Sequence, residues 1–312
     1  MRLDNRTVLV TGGAGFIGSH VARELHAAGA SVLAVDNCFA GAPSLVPDGV
    51  SFERVDVRDE RFEDVARAFE PDAVVHLAAI HYIPYCNENP EETFRVNVMG
   101  TRNVLSVARS LPELETFVFA SSAAVYPPRE SANSEDSRTG PMDIYGETKL
   151  VGEDLAALFA AETGVSTAGV RLFNVYGPNE TNEHLVPAIV KQVRAGKRQI
   201  ELGNLSPKRD FVHVSDVARA VTTLLREFEG TFEPYNVGTG REYSVREVVE
   251  KTGAALGEEI EIAQDDDRVR DSDRPHLKAD ISKLQSEFGW NPQTEFVSGL
   301  RELLDGERVL VG

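Results

Sequence analysis

The chain is poor in cysteine, tryptophan, methionine and lysine. Its 312 residues include two cysteines, one tryptophan and three methionines. The two cysteines, Cys38 and Cys86, are too few for a disulfide framework, and neither has the spacing of a metal ligand. We therefore predict reduced thiols, no metal site and a cytoplasmic protein.

Long hydrophobic runs are also missing. No stretch of about eighteen consecutive apolar residues occurs, so no membrane span is expected. The first residues lead directly into a strand-like run, without the charged leader and apolar segment of a signal peptide, so secretion is not expected. The hydrophobic content of 42% is ordinary for a globular protein.

Positive charge is scarce as well. The chain carries 32 basic and 50 acidic residues, which gives a net charge of −18 at neutral pH. Such an acidic chain is not expected to bind nucleic acid. If the substrate is an anion, arginines must reverse the electrostatic field locally at the site that binds it.

The apolar runs that are present alternate with helical segments in the first half of the chain. This alternation is typical of βαβ units, and it predicts an α/β fold with a parallel, doubly wound sheet of the Rossmann type. The predicted strands cover residues 8–10, 31–35, 50–55, 73–77, 117–120 and 168–172. The predicted helices cover residues 17–28, 93–110 and 145–163.

A glycine-rich turn follows the first predicted strand. Gly12, Gly15 and Gly18 have the spacing G-x-x-G-x-x-G, a variant of the dinucleotide fingerprint. Such a turn lets the backbone approach a pyrophosphate, which then lies at the positive N-terminus of the next helix. Asp36 ends the second strand, where a carboxylate binds the adenosine ribose hydroxyls and repels a 2′-phosphate, so the pattern favours NAD over NADP.

Past residue 174 the pattern breaks into shorter helices near 184–195, 244–256 and 297–304. We predict an NAD-binding Rossmann domain over residues 1–174, to which 211–240 return. Residues 175–210 and 241–312 would form a smaller α/β substrate domain over the strand C-termini, where ligands of such sheets bind.

Tyr145 and Lys149 are four residues apart, so their side chains project from one face of the predicted helix. A nearby cation lowers the pKa of a phenol from about 10, and such a phenol can take a proton from a substrate hydroxyl. Ser122, at the end of the fifth strand, has a hydroxyl that could share this proton. It could equally cap the following turn, and the residues alone leave both roles open.

These motifs stand in the order and spacing of the extended short-chain dehydrogenases/reductases, and the chain resembles their nucleotide-sugar epimerase/dehydratase branch. The resemblance covers essentially all 312 residues. It rests on Thr11 with the three glycines, Asp36-Asn37, Asp56-Val57, His76-Leu77-Ala78-Ala79, Asn97, Ser121-Ser122 and Tyr145-x-x-x-Lys149, and it continues through 171–178, 209–218 and 279–283.

The resemblance implies that Ser122, Tyr145 and Lys149 are the catalytic triad. Tyr145 would be the base that drives hydride transfer from a sugar carbon to NAD, and Lys149 would also bind the nicotinamide ribose. It also implies a homodimer formed through helices 93–110 and 145–163. The residues implied to bind the cofactor are Gly12, Gly15, Phe16, Ile17, Gly18, Asp36, Asn37, Asp56, Val57, Leu77, Ala78, Ala79, Asn97, Tyr145 and Lys149.

The substrate implied by the resemblance is a nucleotide sugar. Ser122 and Tyr145 would contact the sugar, and Asn174 and His184 would contact the sugar diphosphate and nucleotide. Two arginines would hold the phosphates, a task that suits the guanidinium fork. They are Arg209 and Arg270, with Arg274 as the rival of the latter. If these residues do not bind the substrate, His184 is a surface histidine at a helix start, and the arginines form surface ion pairs.

The residues after Ser122 distinguish between reactions within this branch. Relatives that dehydrate or decarboxylate carry an acid just before the following Val-Tyr, and a relative that epimerises carbons 3 and 5 carries a cysteine there. This chain has Ala123 and Ala124, which transfer no proton. By elimination we expect an NAD-dependent 4-epimerase that interconverts UDP-glucose and UDP-galactose or a related UDP-hexose.

Two alternatives stay open. The loop 202–210 looks more like that of GDP-sugar and related dehydratases, so a 4,6-dehydratase acting on a GDP- or CDP-sugar is the first alternative. The second is a nonenzymatic, NAD-sensing regulator on the same fold. Such proteins commonly lose the tyrosine or the lysine, and this chain keeps both.

Overall fold

A parallel seven-stranded sheet is the largest element of the fold. The computed structural model describes residues 3–265 and 274–306 of the chain. Its strands are β1 (Thr7–Thr11), β2 (Ser31–Asp36), β3 (Ser51–Arg54), β4 (Ala73–His76), β5 (Thr116–Ser122), β6 (Ser166–Leu172), β7 (Asn174–Tyr176), β8 (Gln199–Leu202), β9 (Lys208–His213), β10 (Glu233–Val237), β11 (Glu242–Ser244), β12 (Glu261–Gln264) and β13 (His276–Leu277).

The large sheet has the strand order β10-β6-β5-β4-β1-β2-β3, and every neighbouring pair is parallel. The predicted Rossmann-type sheet is therefore confirmed. Strand order reverses between β1 and β4, and a crevice opens at such a switch point outside the carboxyl ends of the strands. The strands β4 and β5 are almost entirely buried because helices cover both faces of the sheet.

The helices flank this sheet and build the rest of the fold. They are α1 (Phe16–Ala27), α2 (Arg61–Phe69), α3 (Ile83–Glu88), α4 (Pro90–Phe94), α5 (Thr101–Arg109), α6 (Ile144–Thr163), α7 (Leu185–Arg194), α8 (Val214–Glu227), α9 (Val245–Leu256), α10 (Ser282–Phe288) and α11 (Phe296–Asp305). Helix α1 packs against α8 on one face of the sheet, and α5 packs against α6. Each face of the sheet has its own hydrophobic cluster.

A third hydrophobic cluster lies in the C-terminal part of the structure, among α7, α9, α11 and the short strands. Strand β9 is the centre of this part, because it pairs with β7, β11 and β13. Strands β8 and β12 form a separate parallel pair. Strand β10 instead joins the outer edge of the large sheet beside β6. No helix in the described part of the chain is long and apolar enough to cross a membrane.

The predicted helix 93–110 differs from the observed structure. The chain has α4, then a π-helix over Arg95–Gly100, and then α5. The hydroxyls of Thr93 and Thr101 donate to the carbonyls of Asn89 and Asn97, and such side-chain bonds compete with the regular backbone pattern. Hydrophobic periodicity does not report these local bonds, which is why the sequence predicts a single helix.

Candidate active site

A cleft of about 1230 Å³ runs along the carboxyl edge of the large sheet. Its walls come from the glycine-rich turn, from the segments that follow β2, β4 and β5, from α6, and from the smaller part around β7 and β9. Pockets for one drug-sized ligand measure about 300–1,000 Å³. The cleft is therefore large enough for two ligands that lie next to each other.

The glycine-rich turn forms one end of the cleft. Gly12 has a φ of +71°, a conformation that favours glycine, and its carbonyl accepts a hydrogen bond from the N–H of Gly15. Gly18 packs so closely on this turn that a Cβ atom would lie 2.0 Å from the Gly12 oxygen. The turn thus brings the start of α1, with Phe16 and Ile17, against the cleft, as a pyrophosphate site requires.

Acidic and amide side chains surround the next part of the cleft. The Asp36 carboxylate accepts hydrogen bonds from the N–H groups of Ala14 (3.2 Å) and Cys38 (2.7 Å), and burial raises its pKa. Asn37 donates to Asp56 over 2.8 Å. A bidentate bond from Arg58 is the main cause that lowers the pKa of Asp56 to about 2, so this carboxylate is ionised at neutral pH.

The predicted cofactor residues after β3 and β4 include Val57, Leu77, Ala78 and Ala79, and all four line the cleft. Asn97 is different, because it is buried and is not part of the cleft wall. Its side-chain amide accepts from the Ile80 N–H and donates to the Ile80 carbonyl and the Thr148 hydroxyl. Asn97 therefore fixes the segment after β4 to helix α6, and its role in cofactor binding stays a prediction.

Tyr145 and Lys149 lie on one face of α6, as the sequence spacing predicts. The Lys149 ammonium is 5.8 Å from the centre of the Tyr145 ring and donates a hydrogen bond to the Ala120 carbonyl over 2.8 Å. Only 4% of Lys149 is exposed, and burial lowers its pKa to about 8. The lysine is therefore held at the end of β5, next to the phenol.

The sequence predicts that Lys149 lowers the pKa of Tyr145, but in the structure burial has the largest influence on the pKa of this phenol. Tyr145 lies in the cleft wall and is half-buried, and this burial raises the pKa of its phenol above the ordinary value. A hydrogen bond with Ser122 lowers the pKa, whereas the charge of Asp143 raises it. Burial outweighs the favourable contacts because a phenolate loses its hydration there.

Ser122 caps the following turn and also contacts Tyr145, and its catalytic role stays a prediction. Its Oγ accepts a hydrogen bond from the Ala124 N–H (3.1 Å) and so caps a short 3-10 turn over Ala123–Val125. The same hydroxyl contacts Tyr145. Capping uses a lone pair and leaves the hydroxyl proton available, so Ser122 can cap the turn and also hydrogen-bond the phenol.

The substrate residues predicted from the sequence lie at the other end of the cleft. Asn174 begins β7, His184 precedes α7, and Arg209 lies on β9, and all three line the cleft. Arg209 donates to the carbonyls of Lys208 (2.8 Å) and Arg274 (2.6 Å). Arg270 lies outside the described residues. The cleft therefore joins the triad and the predicted diphosphate residue in one space.

The structure brings His81 next to His184, a contact that the sequence does not predict. His184 contacts Glu180 through Nδ1 (2.5 Å), and the Glu180 side chain is only 3% exposed. His81, after β4, has its ring 5.8 Å from that of His184 and a hydrogen bond with Asn182. The Glu180–His184 spacing of four residues is visible in the sequence, but no pattern indicates that His81 meets it.

Arg274, which the sequence offers as the rival of Arg270 for holding a phosphate, has contacts that the sequence does not predict. One of its terminal nitrogens donates to the Asp143 carboxylate (3.1 Å) and to the Ala124 carbonyl (3.2 Å). Arg274 therefore contacts the segments that precede Tyr145 and follow Ser122. Leu277, which lies three residues further along, is buried in the same wall.

Comparison with known proteins agrees with this geometry. The sequence model of the NAD dependent epimerase/dehydratase family matches residues 8–238, which hold the glycine-rich turn and the triad. The chain belongs to this family. It is 34% identical over 304 residues to a UDP-glucose 4-epimerase of Streptomyces lividans, with 91% of each chain covered.

Solved structures of family members have the same fold. A UDP-glucose 4-epimerase of Thermus thermophilus in complex with NAD superimposes with a TM-score of 0.86 and 34% identity, over 96% of this chain and 98% of that one. A UDP-glucose 4-epimerase of Thermotoga maritima with UDP-glucose gives a TM-score of 0.88 and 28% identity, over 96% and 97%. Membership in the family identifies the protein as NAD-dependent.

Proposed function

We propose that the protein is an NAD-dependent nucleotide-sugar 4-epimerase that interconverts UDP-glucose and UDP-galactose, or a related UDP-hexose pair, by transient oxidation at carbon 4. The observation that carries the proposal is the convergence of Ser122, Tyr145 and Lys149 in one cleft with the glycine-rich turn. The similarity to UDP-glucose 4-epimerases along nearly the whole chain supports it.

The residues around the glycine-rich turn fit NAD. A Cβ at Gly18 would push the turn away from α1, so the close packing that a pyrophosphate site needs depends on this glycine. Asp36 stands where the adenosine ribose would bind, and its charge disfavours a 2′-phosphate. When bound there, NAD would supply the hydride acceptor for the oxidation at carbon 4 and the positive charge of its nicotinamide.

The chain's own residues supply the proton transfer. Tyr145, as phenolate, takes the proton of the carbon-4 hydroxyl, and Ser122 donates a hydrogen bond to the same oxygen. Because burial raises the pKa of the phenol, nearby positive charge is needed to ionise it near neutral pH. Lys149 holds such a charge 5.8 Å from the ring, and its own pKa of about 8 keeps it mostly protonated at pH 7.

The surroundings of the triad favour epimerisation over dehydration. Ala123 and Ala124 are buried and transfer no proton. Among the acids of the cleft wall, Asp143 is the nearest to Tyr145 in the sequence, and each of its oxygens is bonded, one to the Gly146 N–H and one to Arg274. Removal of water from carbons 5 and 6 needs an acid and a base at the sugar, and these side chains do not offer them.

A 4,6-dehydratase acting on a GDP- or CDP-sugar is the second candidate. It would need a proton donor from elsewhere in the cleft, and His184, which contacts the buried Glu180 carboxylate, has the chemistry to provide one. Glu180 and His184 line the cleft together with Asn174 and Arg209, on the side where we place the phosphates. We therefore favour contacts of His184 with the phosphates and ribose of the substrate. The identity of the nucleotide base is tested by experiment below.

We further propose a cytoplasmic homodimer. Helices α4 and α6 and the π-helix between α4 and α5 present large, exposed apolar side chains, namely Phe94, Met99 and Leu158. These lie on the helices through which the resemblance implies dimerisation. Both cysteines are free, which fits a reducing compartment. A monomer by light scattering would refute the dimer.

The experiment for the reaction is product analysis on a panel of UDP-, GDP-, CDP- and dTDP-sugars. We expect UDP-glucose and UDP-galactose, or a related UDP-hexose pair, to interconvert. Tyr145→Phe should lower kcat by about 10²–10⁴-fold because it removes the general base. Tyr235→Phe is the matched control, since that hydroxyl bonds Glu287 away from the cleft.

Two results would overturn the assignment. A 4-keto-6-deoxy product would indicate the dehydratase, and no turnover of any UDP-sugar would exclude the epimerase. A Tyr145→Phe protein that kept full biological activity would instead indicate an NAD-sensing regulator.

A further inference from the structure

The guanidinium of Arg274 lies between the two ends of the cleft. Its side chain is only 10% exposed. Its terminal nitrogen donates to the carboxylate of Asp143 and to the carbonyl of Ala124. An arginine that donates to two buried acceptors at once fixes both in a defined relation to each other.

Both acceptors belong to the segments that carry the triad. Asp143 is the N-cap of α6, and its other oxygen accepts from the Gly146 N–H over 2.8 Å. Tyr145 lies in the first turn of this helix. The Ala124 carbonyl belongs to the turn that Ser122 caps, and it packs against Gly146, where a Cβ would lie 2.5 Å from the carbonyl oxygen. Arg274 thus holds together the start of α6 and the end of β5.

The backbone of the same residue is tied to the substrate end of the cleft. Arg209 donates to the Arg274 carbonyl over 2.6 Å, and the Lys208 N–H donates to the Pro275 carbonyl over 2.9 Å. Just beyond, β13 pairs with β9. A continuous set of hydrogen bonds therefore runs from Arg209, through Arg274, to the segments of Ser122 and Tyr145.

We propose that Arg274 is a positioning residue that couples the diphosphate end of the cleft to the catalytic triad. A nucleotide diphosphate held by Arg209 would fix the Arg274 backbone, and the guanidinium would then hold the Asp143 cap and the Ala124 turn. This inference rests on the proposed function and concerns how the bound nucleotide orders the triad.

Electrostatics gives the coupling a measurable signature. The charged and titratable groups around the Tyr145 phenol are Lys149 on the same helix, Cys86 on α3 and Asp143 at the helix cap. The Asp143 carboxylate raises the pKa of the phenol, and Arg274 is the cation paired with that carboxylate. Loss of the arginine leaves the negative charge uncompensated, so the base form of Tyr145 should need a higher pH.

The kinetic test compares wild type, Arg274→Met and Arg274→Lys with Arg198→Met, which breaks an exposed ion pair with Glu258 outside the cleft. We expect Arg274→Met to lower kcat about 10- to 100-fold, with KM changed by less than about threefold, because a misplaced catalytic group affects the reaction step. Arg274→Lys keeps the positive charge, so its kcat should lie between those of wild type and Arg274→Met. Arg198→Met should match wild type.

The pH profile separates positioning from general loss of structure. In Arg274→Met the midpoint at which kcat rises with pH should move upward by about one pH unit. The double variant Asp143→Asn with Arg274→Met should return the midpoint toward wild type, because asparagine caps a helix as well as aspartate and carries no charge. A wild-type midpoint in Arg274→Met would overturn the proposal, and so would a double variant whose midpoint stays as high as that of Arg274→Met. A raised KM with normal kcat would also overturn it, because that result indicates a direct substrate clamp.

Hydrogen exchange tests the coupling without turnover. In wild type, saturating UDP (or GDP, if it binds more tightly) should slow amide exchange over residues 143–149. The variant is Arg274→Met or Arg274→Lys, whichever is folded by circular dichroism. The nucleotide should still bind to it but should slow exchange over residues 143–149 less than in wild type. Equal slowing would refute the coupling. If wild type interconverts no nucleotide sugar, the proposed function fails, while this readout still decides the role of Arg274.

Discussion

The buried ion pair between Glu153 and Arg171 offers a quantitative test of how the catalytic helix is held. Glu153 follows Lys149 by one turn on α6, and Arg171 lies on β6. The pair is bidentate, with distances of 2.9 and 2.7 Å, and the side chains are only 5% and 6% exposed. Arg171 also donates to the Tyr126 hydroxyl and to the carbonyl of Glu135.

Arg171→Met should therefore be strongly destabilising. The substitution leaves the Glu153 carboxylate buried, and among the described residues its remaining side-chain donor is the Ser121 hydroxyl. Breaking a buried ion pair in this way lowers the free energy of unfolding by about 3–5 kcal/mol. The total stability of a folded domain is about 5–15 kcal/mol. At roughly 2–4 °C per kcal/mol, the apparent Tm should fall by about 10 °C.

The assay is thermal unfolding of the NAD-loaded protein at a fixed scan rate. Arg67→Met is the matched control, because its partner Glu63 is about half exposed and such pairs contribute about 0–1 kcal/mol. The double variant Glu153→Met with Arg171→Met should recover part of the loss, since no charge is left buried. A Tm for Arg171→Met within about 2 °C of wild type, or a double variant no better than the single one, would refute the reasoning.

Three further predictions concern the cofactor end of the cleft and the dependence on pH. Gly18→Ala should weaken NAD binding at least about tenfold in calorimetry, because its Cβ would lie 2.0 Å from the Gly12 oxygen. Gly140→Ala is the control and should bind NAD normally, since its Cβ would lie 3.5 Å from the nearest atom. Equal affinities of the two variants would contradict a role of the glycine-rich turn in binding NAD. Asp36→Ala should lower the preference for NAD over NADP in competition binding, and an unchanged preference would show that this carboxylate does not select the cofactor. Burial lowers the pKa of His76 to about 3, so the folded protein resists protonation there and should lose about 2–3 kcal/mol of stability as the pH falls from about 7 to about 4.5. His76→Gln should make that fall shallower in Tm measurements across pH, and an identical slope would exclude His76 as a cause.

The large sheet and its cofactor end follow from the sequence because their patterns are local. Continuous apolar runs predict buried parallel strands, and the turn at Gly12 to Gly18 has a backbone geometry that few other sequences allow. The helical spacing of Tyr145 and Lys149 likewise places them on one face. Each of these inferences needs only residues that are near one another in the chain.

The remaining features depend on contacts between distant segments. Arg274 reaches Asp143 across more than a hundred residues, and His81, in the segment after β4, meets His184 at the start of α7. Nothing in the residue pattern around either contact indicates its partner. The pKa of Tyr145 differs from the expectation for a related reason, since the neighbouring lysine can be read from the sequence and the degree of burial cannot.

Strand β10 has a consequence for how the chain folds during synthesis. It is the outermost strand of the large sheet, yet it follows β7, β8 and β9, which belong to the smaller part. The outer edge of β6 therefore stays unpaired until residues 233–237 have left the ribosome. An open strand edge is a template for pairing with other chains, so nascent or truncated protein that ends before β10 should be the form most prone to aggregate and most dependent on chaperones.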